Sequence, residues 1–170
     1  MFTLIIGGSG SGKSEYAEQW VTSRPGRRIY IAAMQPWDEE CLARIAKHRR
    51  ARAGRGFETV ERYTDLGGLT VPAGSNVLLE CLSNLTANEM YAPEGRGADA
   101  VTEGVLRLLP QCGDLTVVTN EVFSGGSCYA DDTLRYLRAL ARINRELAAA
   151  ADCVVEVVCG CPVFWKGSLK

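Results

Sequence analysis

No stretch of this sequence approaches the roughly 20 apolar residues that cross a bilayer, since even residues 153–160 are interrupted by Glu156. A membrane-spanning chain is not expected. Excess charge of either sign is also missing: 19 basic against 20 acidic residues leave a net charge of −1, so no global field would draw the protein onto nucleic acid or an anionic membrane. Any anion site has to be local. The seven cysteines, Cys41, Cys81, Cys112, Cys128, Cys153, Cys159 and Cys161, include no Cys-x-x-Cys pair, and their odd number suits neither a disulfide framework nor a common zinc pattern. Reduced, mostly buried thiols are the expectation. Nor is there a basic region ahead of the first apolar run: MFTLIIGG reaches glycine almost at once and reads as a strand rather than a signal peptide, which points to a cytoplasmic protein.

What is present is alternation. Short β-branched runs at residues 2–6, 28–33, 77–81, 115–119 and 153–158 are separated by segments of helical pattern at residues 13–22, 38–52, 99–109 and 131–150. That order is the signature of a mostly parallel sheet flanked by helices, and 170 residues suit one such domain, large enough to bury roughly two-thirds of its unfolded surface. In the last helix Leu134, Leu137, Leu140, Ile143 and Leu147 recur every three or four residues and are expected to form one buried stripe. Glycine-rich or polar segments at residues 54–56, 66–75, 92–97 and 124–127 read as loops.

The first strand runs into Gly7, Gly8, Ser9, Gly10, Ser11, Gly12, Lys13 and Ser14, the full pattern of a phosphate-binding loop between a strand and a helix. The glycines let backbone N–H groups converge on an anion, and the helix N-terminus adds partial positive charge. Lys13 would reach the β and γ oxygens of a nucleotide as an exposed point charge, and Ser14 would offer its hydroxyl to Mg²⁺. The fold class expected is therefore α/β, P-loop NTPase-like (RecA-like), in one domain over residues 1–170. A dinucleotide site fits less well, because Lys13 stands where a third glycine is needed. Acidic partners for the metal belong at the carboxyl ends of neighbouring strands, which singles out Glu80 and Glu121. Of these, Glu80 lies inside an apolar run where an unpartnered carboxylate would be expensive.

Residues 38–55 carry six basic side chains around His48, the only histidine. On a helix Arg44, His48 and Arg52 share one face. A basic helix is commonly a solvated face or a nucleic-acid patch. Beside a phosphate loop, however, arginines flanking an imidazole would bind a triphosphate and present a nitrogen nucleophile to it.

These segments resemble one family over nearly the whole chain. GGSGSGKSEYAE, IYIAA, WDEECLARIAKHRR, Thr59-x-Glu61, VLLECLSNLTAN, VVTNEV and INRELAAAADCVVEVVCGCPV are similar to the bifunctional adenosylcobinamide kinase and adenosylcobinamide-phosphate guanylyltransferase of cobalamin assembly. The resemblance implies ATP and GTP as substrates, a corrinoid acceptor, a histidine at the position of His48 that becomes guanylylated, and a homo-oligomer, a trimer by analogy with that family. It carries nucleotide contacts to the phosphate loop, to Ala32, Ala33 and Met34, to Arg49, Arg50, Ala51 and Arg52, and to Glu61 and Glu80, without assigning which glutamate takes guanine. Departures cluster between residues 123 and 146, where the family's glycine-rich stretch and Val-Pro are replaced by FSGGSCYADD and its Asp, Gly and Gln are lost around Asn144. They predict an altered acceptor site. Two other readings remain: a P-loop kinase of another small alcohol, and a non-catalytic nucleotide-gated protein that uses the basic helix for a partner.

Overall fold

The computed structural model describes residues 1–125 and 129–168. Seven strands form one sheet in the order β3-β2-β4-β5-β1-β6-β7. They are β1 (Phe2–Gly7), β2 (Arg28–Ala32), β3 (Phe57–Glu61), β4 (Ser75–Glu80), β5 (Cys112–Asn120), β6 (Cys153–Val158) and β7 (Cys161–Lys166). All pairings are parallel except β6 with β7. The helices are α1 (Lys13–Thr22), α2 (Glu39–Arg52), α3 (Leu82–Tyr91), α4 (Asp99–Leu108) and α5 (Asp131–Ala150).

Side chains alternate across each strand, so each strand divides between two cores. On one face Leu4, Ile31, Val77, Leu79 and Val117 pack with Leu85 of α3, Val101 and Val105 of α4, and Ile143 and Leu147 of α5. On the other, Ile5, Tyr30, Leu78, Val118 and Val155 pack with Ala17, Trp20 and Val21 of α1. Glu80 follows Leu78 by two residues and therefore emerges on the α1 face. The register puts Ala32, Glu80 and Val118 side by side, and Gly7 beside Asn120. The carboxyl ends of β2, β4, β5 and β1 consequently meet along one edge, where open α/β sheets bind ligands.

Several elements differ from their expected form. The helix α3 and the strands β3 and β7 were not anticipated. In α3 the sequence LSNLTANEMY carries buried polar groups where a periodic pattern would show apolar ones: Thr86 donates to Leu82 O at 2.8 Å, and Asn88 Nδ2 to Ala33 O at 2.8 Å. In β3 the sequence FETVE lies at a sheet edge with three of five residues exposed, which leaves little alternation to read. The α5 stripe is buried only in its second half, at Leu140, Ile143 and Leu147, while Leu134 and Leu137 are half-buried. Buried thiols are likewise fewer than expected. Cys81 and Cys153 are buried, Cys41 and Cys112 are half-buried, and Cys159 and Cys161 are exposed in the β6–β7 turn and the start of β7; Cys128 lies outside the described residues. Among the described residues no helix is long and apolar enough to cross a membrane.

Candidate active site

Strand β1 ends at Gly7 and α1 begins at Lys13, so the loop between them delivers its backbone N–H groups at a helix N-terminus. Gly10 (φ 72°) and Gly12 (φ 91°) are left-handed, a conformation that favours glycine. The loop is braced from outside by Gly160 N, which donates to Ser11 O at 2.8 Å. Lys13 is half-buried rather than exposed, because its ammonium folds back to donate to Gly8 O at 3.1 Å. Burial holds its pKa below the usual lysine value; the Glu80 carboxylate counters that shift and Arg44 reinforces it.

Glu80, 8 % exposed, has both carboxylate oxygens engaged. Oε1 accepts from the Ser14 hydroxyl and Oε2 from the Tyr30 hydroxyl at 3.0 Å. Burial, with Glu80 as the next cause, drives the Tyr30 pKa far above the ordinary tyrosine value, so Tyr30 remains a donor. The expense of a carboxylate in an apolar strand is thus met by two hydroxyls. His48 Nδ1 stands 4.0 Å from Glu80 Oε1.

Helix α2 begins at an Asp38 cap, whose carboxylate accepts from Cys41 N at 2.7 Å. Its far end lies over Tyr30: the Arg52 guanidinium is 3.3 Å from the ring centroid and only 7 % exposed. This contact turns one face of α2 inward, and Arg44, His48 and Arg52 line a cavity of about 600 Å³ together with Lys13, Ser14 and Glu80. A second recess of about 440 Å³ shares Arg49, Arg52 and Thr59 with it.

Most of the expected site residues meet in the larger cavity. Ser9, Gly10, Ser11, Gly12, Lys13, Ser14, Ala32, Met34, His48, Arg49, Arg52, Glu61 and Glu80 all line it. Glu61 is paired with Arg49 and accepts from the Tyr63 hydroxyl at 2.9 Å. Gly7 and Gly8 contribute backbone at the base of the loop, and Ala51 lies within α2. Two residues fall away. Ala33 packs in the opposite core, because strand alternation sends it to the face away from Ala32, and Arg50 is exposed on the outer side of α2. Glu121, the other acidic candidate, turns back on its own loop to accept from Phe123 N at 2.9 Å.

The cavity also contains residues that motif spacing did not single out. Glu18 lies one helical turn beyond Ser14, and its position on α1 was the available signal. Tyr30 precedes Ala32 by two on β2 and so shares its face. Arg55, Asn84 and Asn120 also line the cavity; Asn120 Nδ2 donates to Ser83 Oγ at 2.6 Å, which ties β5 to the start of α3.

Residues 3–164 match the sequence model of a family described as cobinamide kinase / cobinamide phosphate guanyltransferase, CobU. The chain belongs to this family. CobU relatives include the bifunctional adenosylcobalamin biosynthesis protein CobU of Salmonella typhimurium, 32 % identical over 98 % of this chain and 100 % of the relative. The bifunctional protein CobP of Pseudomonas aeruginosa is 30 % identical over 98 % of each chain. Among solved structures, a Pyrococcus horikoshii protein, PH0250, superposes with a TM-score of 0.59 at 8 % identity, covering 99 % of this chain and 87 % of that one. An ATPase of the type III secretion system of pathogenic bacteria gives 0.50 at 9 % identity, over 91 % of this chain and 50 % of the other. At such identities these neighbours speak to the fold, which in this chain places the phosphate loop on β1 and Glu80 two strands away on β4, with β5 between them.

Proposed function

We propose that this protein phosphorylates the hydroxyl of adenosylcobinamide with ATP or GTP and then transfers GMP from GTP onto the resulting phosphate through a guanylyl group on His48. The observation that carries the reading is the shared cavity: a phosphate loop, an arginine-lined helix face and the only histidine open onto one space. The family's description and its bifunctional relatives support the pairing of the two reactions.

In the guanylyl step a ring nitrogen of His48 attacks the α-phosphorus of GTP. A nitrogen–phosphorus bond forms as the bond to the bridging oxygen breaks, and pyrophosphate leaves. A phosphate oxygen of the acceptor then attacks the same phosphorus and the imidazole departs. Lys13, Arg44 and Arg52 stabilise charge on the phosphate oxygens. Met34 and Ala32 line the cavity beyond Tyr30, and Glu61, which accepts hydrogen bonds from its neighbours, offers the acceptor pair that N1–H and the 2-amino group of guanine require. Glu80, whose oxygens accept from Ser14 and Tyr30, is the alternative carboxylate for the base.

Ser14 and Glu80 place a hydroxyl and a carboxylate in mutual contact at the loop, a hard-oxygen pair that suits Mg²⁺. When bound there, the ion would draw charge from the phosphate oxygens of the nucleotide.

The test is retention of label from GTP labelled at the α-phosphate. The parent protein should hold an acid-labile adduct, and His48→Ala should lose it while still binding GTP. Equal labelling of both proteins would overturn the assignment.

A further inference from the structure

Glu18 has no part in the mechanism above, yet it is 2 % exposed and sits beside the nucleophile. One ligating atom each of Glu18, His48 and Glu80 lies within 4.8 Å of the others. Two carboxylates therefore flank one imidazole, and they differ in what they have left to give. Both oxygens of Glu80 already accept hydroxyl protons, whereas Oε2 of Glu18 accepts no hydrogen bond. Arg55 Nη1 stands 2.9 Å from that oxygen as an ion pair without hydrogen-bond alignment. Burial pushes the Glu18 carboxyl above its ordinary value, and Arg55 opposes that shift, with Arg52 adding to the opposition while Glu80 and Glu15 work against it.

This set of ligands resembles a cation site, but the guanidinium groups of Arg52 and Arg55 at its border set the charge against a divalent ion. The arrangement suits a cation that forms and disappears in the same place: the imidazolium of guanylyl-histidine. When one ring nitrogen bonds to phosphorus, the ring becomes positively charged and its other nitrogen keeps an N–H that needs an acceptor. A buried carboxylate with a free oxygen supplies one, and in a site shielded from water that interaction is stronger than in solution.

We infer that Glu18 is a positioning residue for His48, accepting the imidazolium N–H during guanylyl transfer and holding the ring against the α-phosphorus. No proton moves between the two groups in either half-reaction. Charge appears on the ring when the nitrogen–phosphorus bond forms and vanishes when the acceptor oxygen displaces the imidazole. Arg55 opposes the upward shift that burial imposes on the Glu18 carboxyl. The inference rests on the guanylyl-histidine reading of the site.

The experiment is single-turnover labelling with α-labelled GTP at saturation, with GTP affinity and melting temperature measured alongside. Glu18→Gln keeps the shape and removes the charge. Adduct formation should slow by about a hundredfold, while the Kd for GTP changes by less than about threefold. Glu18→Asp, which withdraws the charge by one methylene, should recover part of the rate. If the glutamine variant fails to fold, the aspartate variant decides, since slowed labelling at an unchanged Kd supports the role. Labelling of a folded variant at the parental rate overturns it, and so does a loss of rate that merely follows a loss of GTP affinity. Absence of label on the parent protein would instead overturn the guanylyl-histidine reading and this role with it.

Discussion

Lys13 shows how much a single side chain changes between a motif and a folded site. Its ammonium is half-buried, bonded to the loop's own Gly8 carbonyl, and depressed in pKa by burial. That contact costs the fold little if lost, because it is only part-buried and water can replace the donor. A bound triphosphate would gain a charged hydrogen bond of about 1.5–3 kcal/mol from the same group. Lys13→Ala should therefore weaken GTP binding by about tenfold to a hundredfold and leave the melting temperature nearly unchanged. Calorimetric titration and thermal unfolding check the two halves, and a variant that melts far lower yet binds GTP normally would make Lys13 structural. His48 and Glu80 were legible from motif and strand position. Tyr30 was not, since a tyrosine in an apolar strand announces packing, and its hydroxyl acquires meaning only once β4 brings Glu80 alongside.

At the scale of the element, α2 is the part of the site with the least apolar support. Among the described side chains of α2 no apolar one is buried, and its inward contacts include Arg52 on Tyr30 and the His48 approach to Glu80. Its first turn depends on the Asp38 cap, which satisfies a backbone N–H that has no partner inside the helix. The hydrogen bond from Cys41 N holds the Asp38 carboxyl below the usual carboxylate range. A depressed pKa means that this stabilisation is present above the unfolded value, near pH 4, and is lost as the pH falls through the folded value. Asp38→Ala should accelerate amide hydrogen exchange at Cys41 at neutral pH while the β-sheet amides stay protected. The parent protein should approach the variant's behaviour only under acid conditions. Uniform acceleration across the sheet would show that the cap supports the whole fold rather than one helix end.

For the whole molecule, the decisive number is the cavity of about 600 Å³ that holds both the phosphate loop and His48. Sites for one small ligand span about 300–1,000 Å³, so this space suits one nucleotide at a time. The phosphoryl donor and the guanylyl donor should then compete. ATP titrated into a labelling reaction should raise the apparent KM for GTP without lowering the maximal rate of His48 labelling. A fall in maximal rate at unchanged KM would require a second nucleotide site. The acceptor also needs room, and the departures read in the sequence lead us to expect an altered acceptor site in the segment between residues 123 and 146. Residues 126–128 of that segment lie outside the described residues, and the altered acceptor site expected there remains a proposal for a comparison of cobinamide and cobinamide phosphate as acceptors.

The sequence alone determined what depends on neighbours along the chain. The phosphate loop needs glycines at fixed offsets before a helix, α2 needs the four-residue spacing of Arg44, His48 and Arg52, and β4 needs an apolar run ending in Glu80. Each of these is a local rule and can be read in one dimension. Tertiary structure decided what depends on the order of strands and on which face a side chain takes. Placing β5 between β1 and β4 sets Glu80 against Ser14, and alternation sends Ala32 and Tyr30 into the cavity but Ala33 into the opposite core. The pairing of Glu18 with Arg55, 37 positions apart in the chain, joins α1 to the turn that follows α2. No local pattern encodes that contact, because its energy comes from burial that exists only after the helices have packed on the sheet.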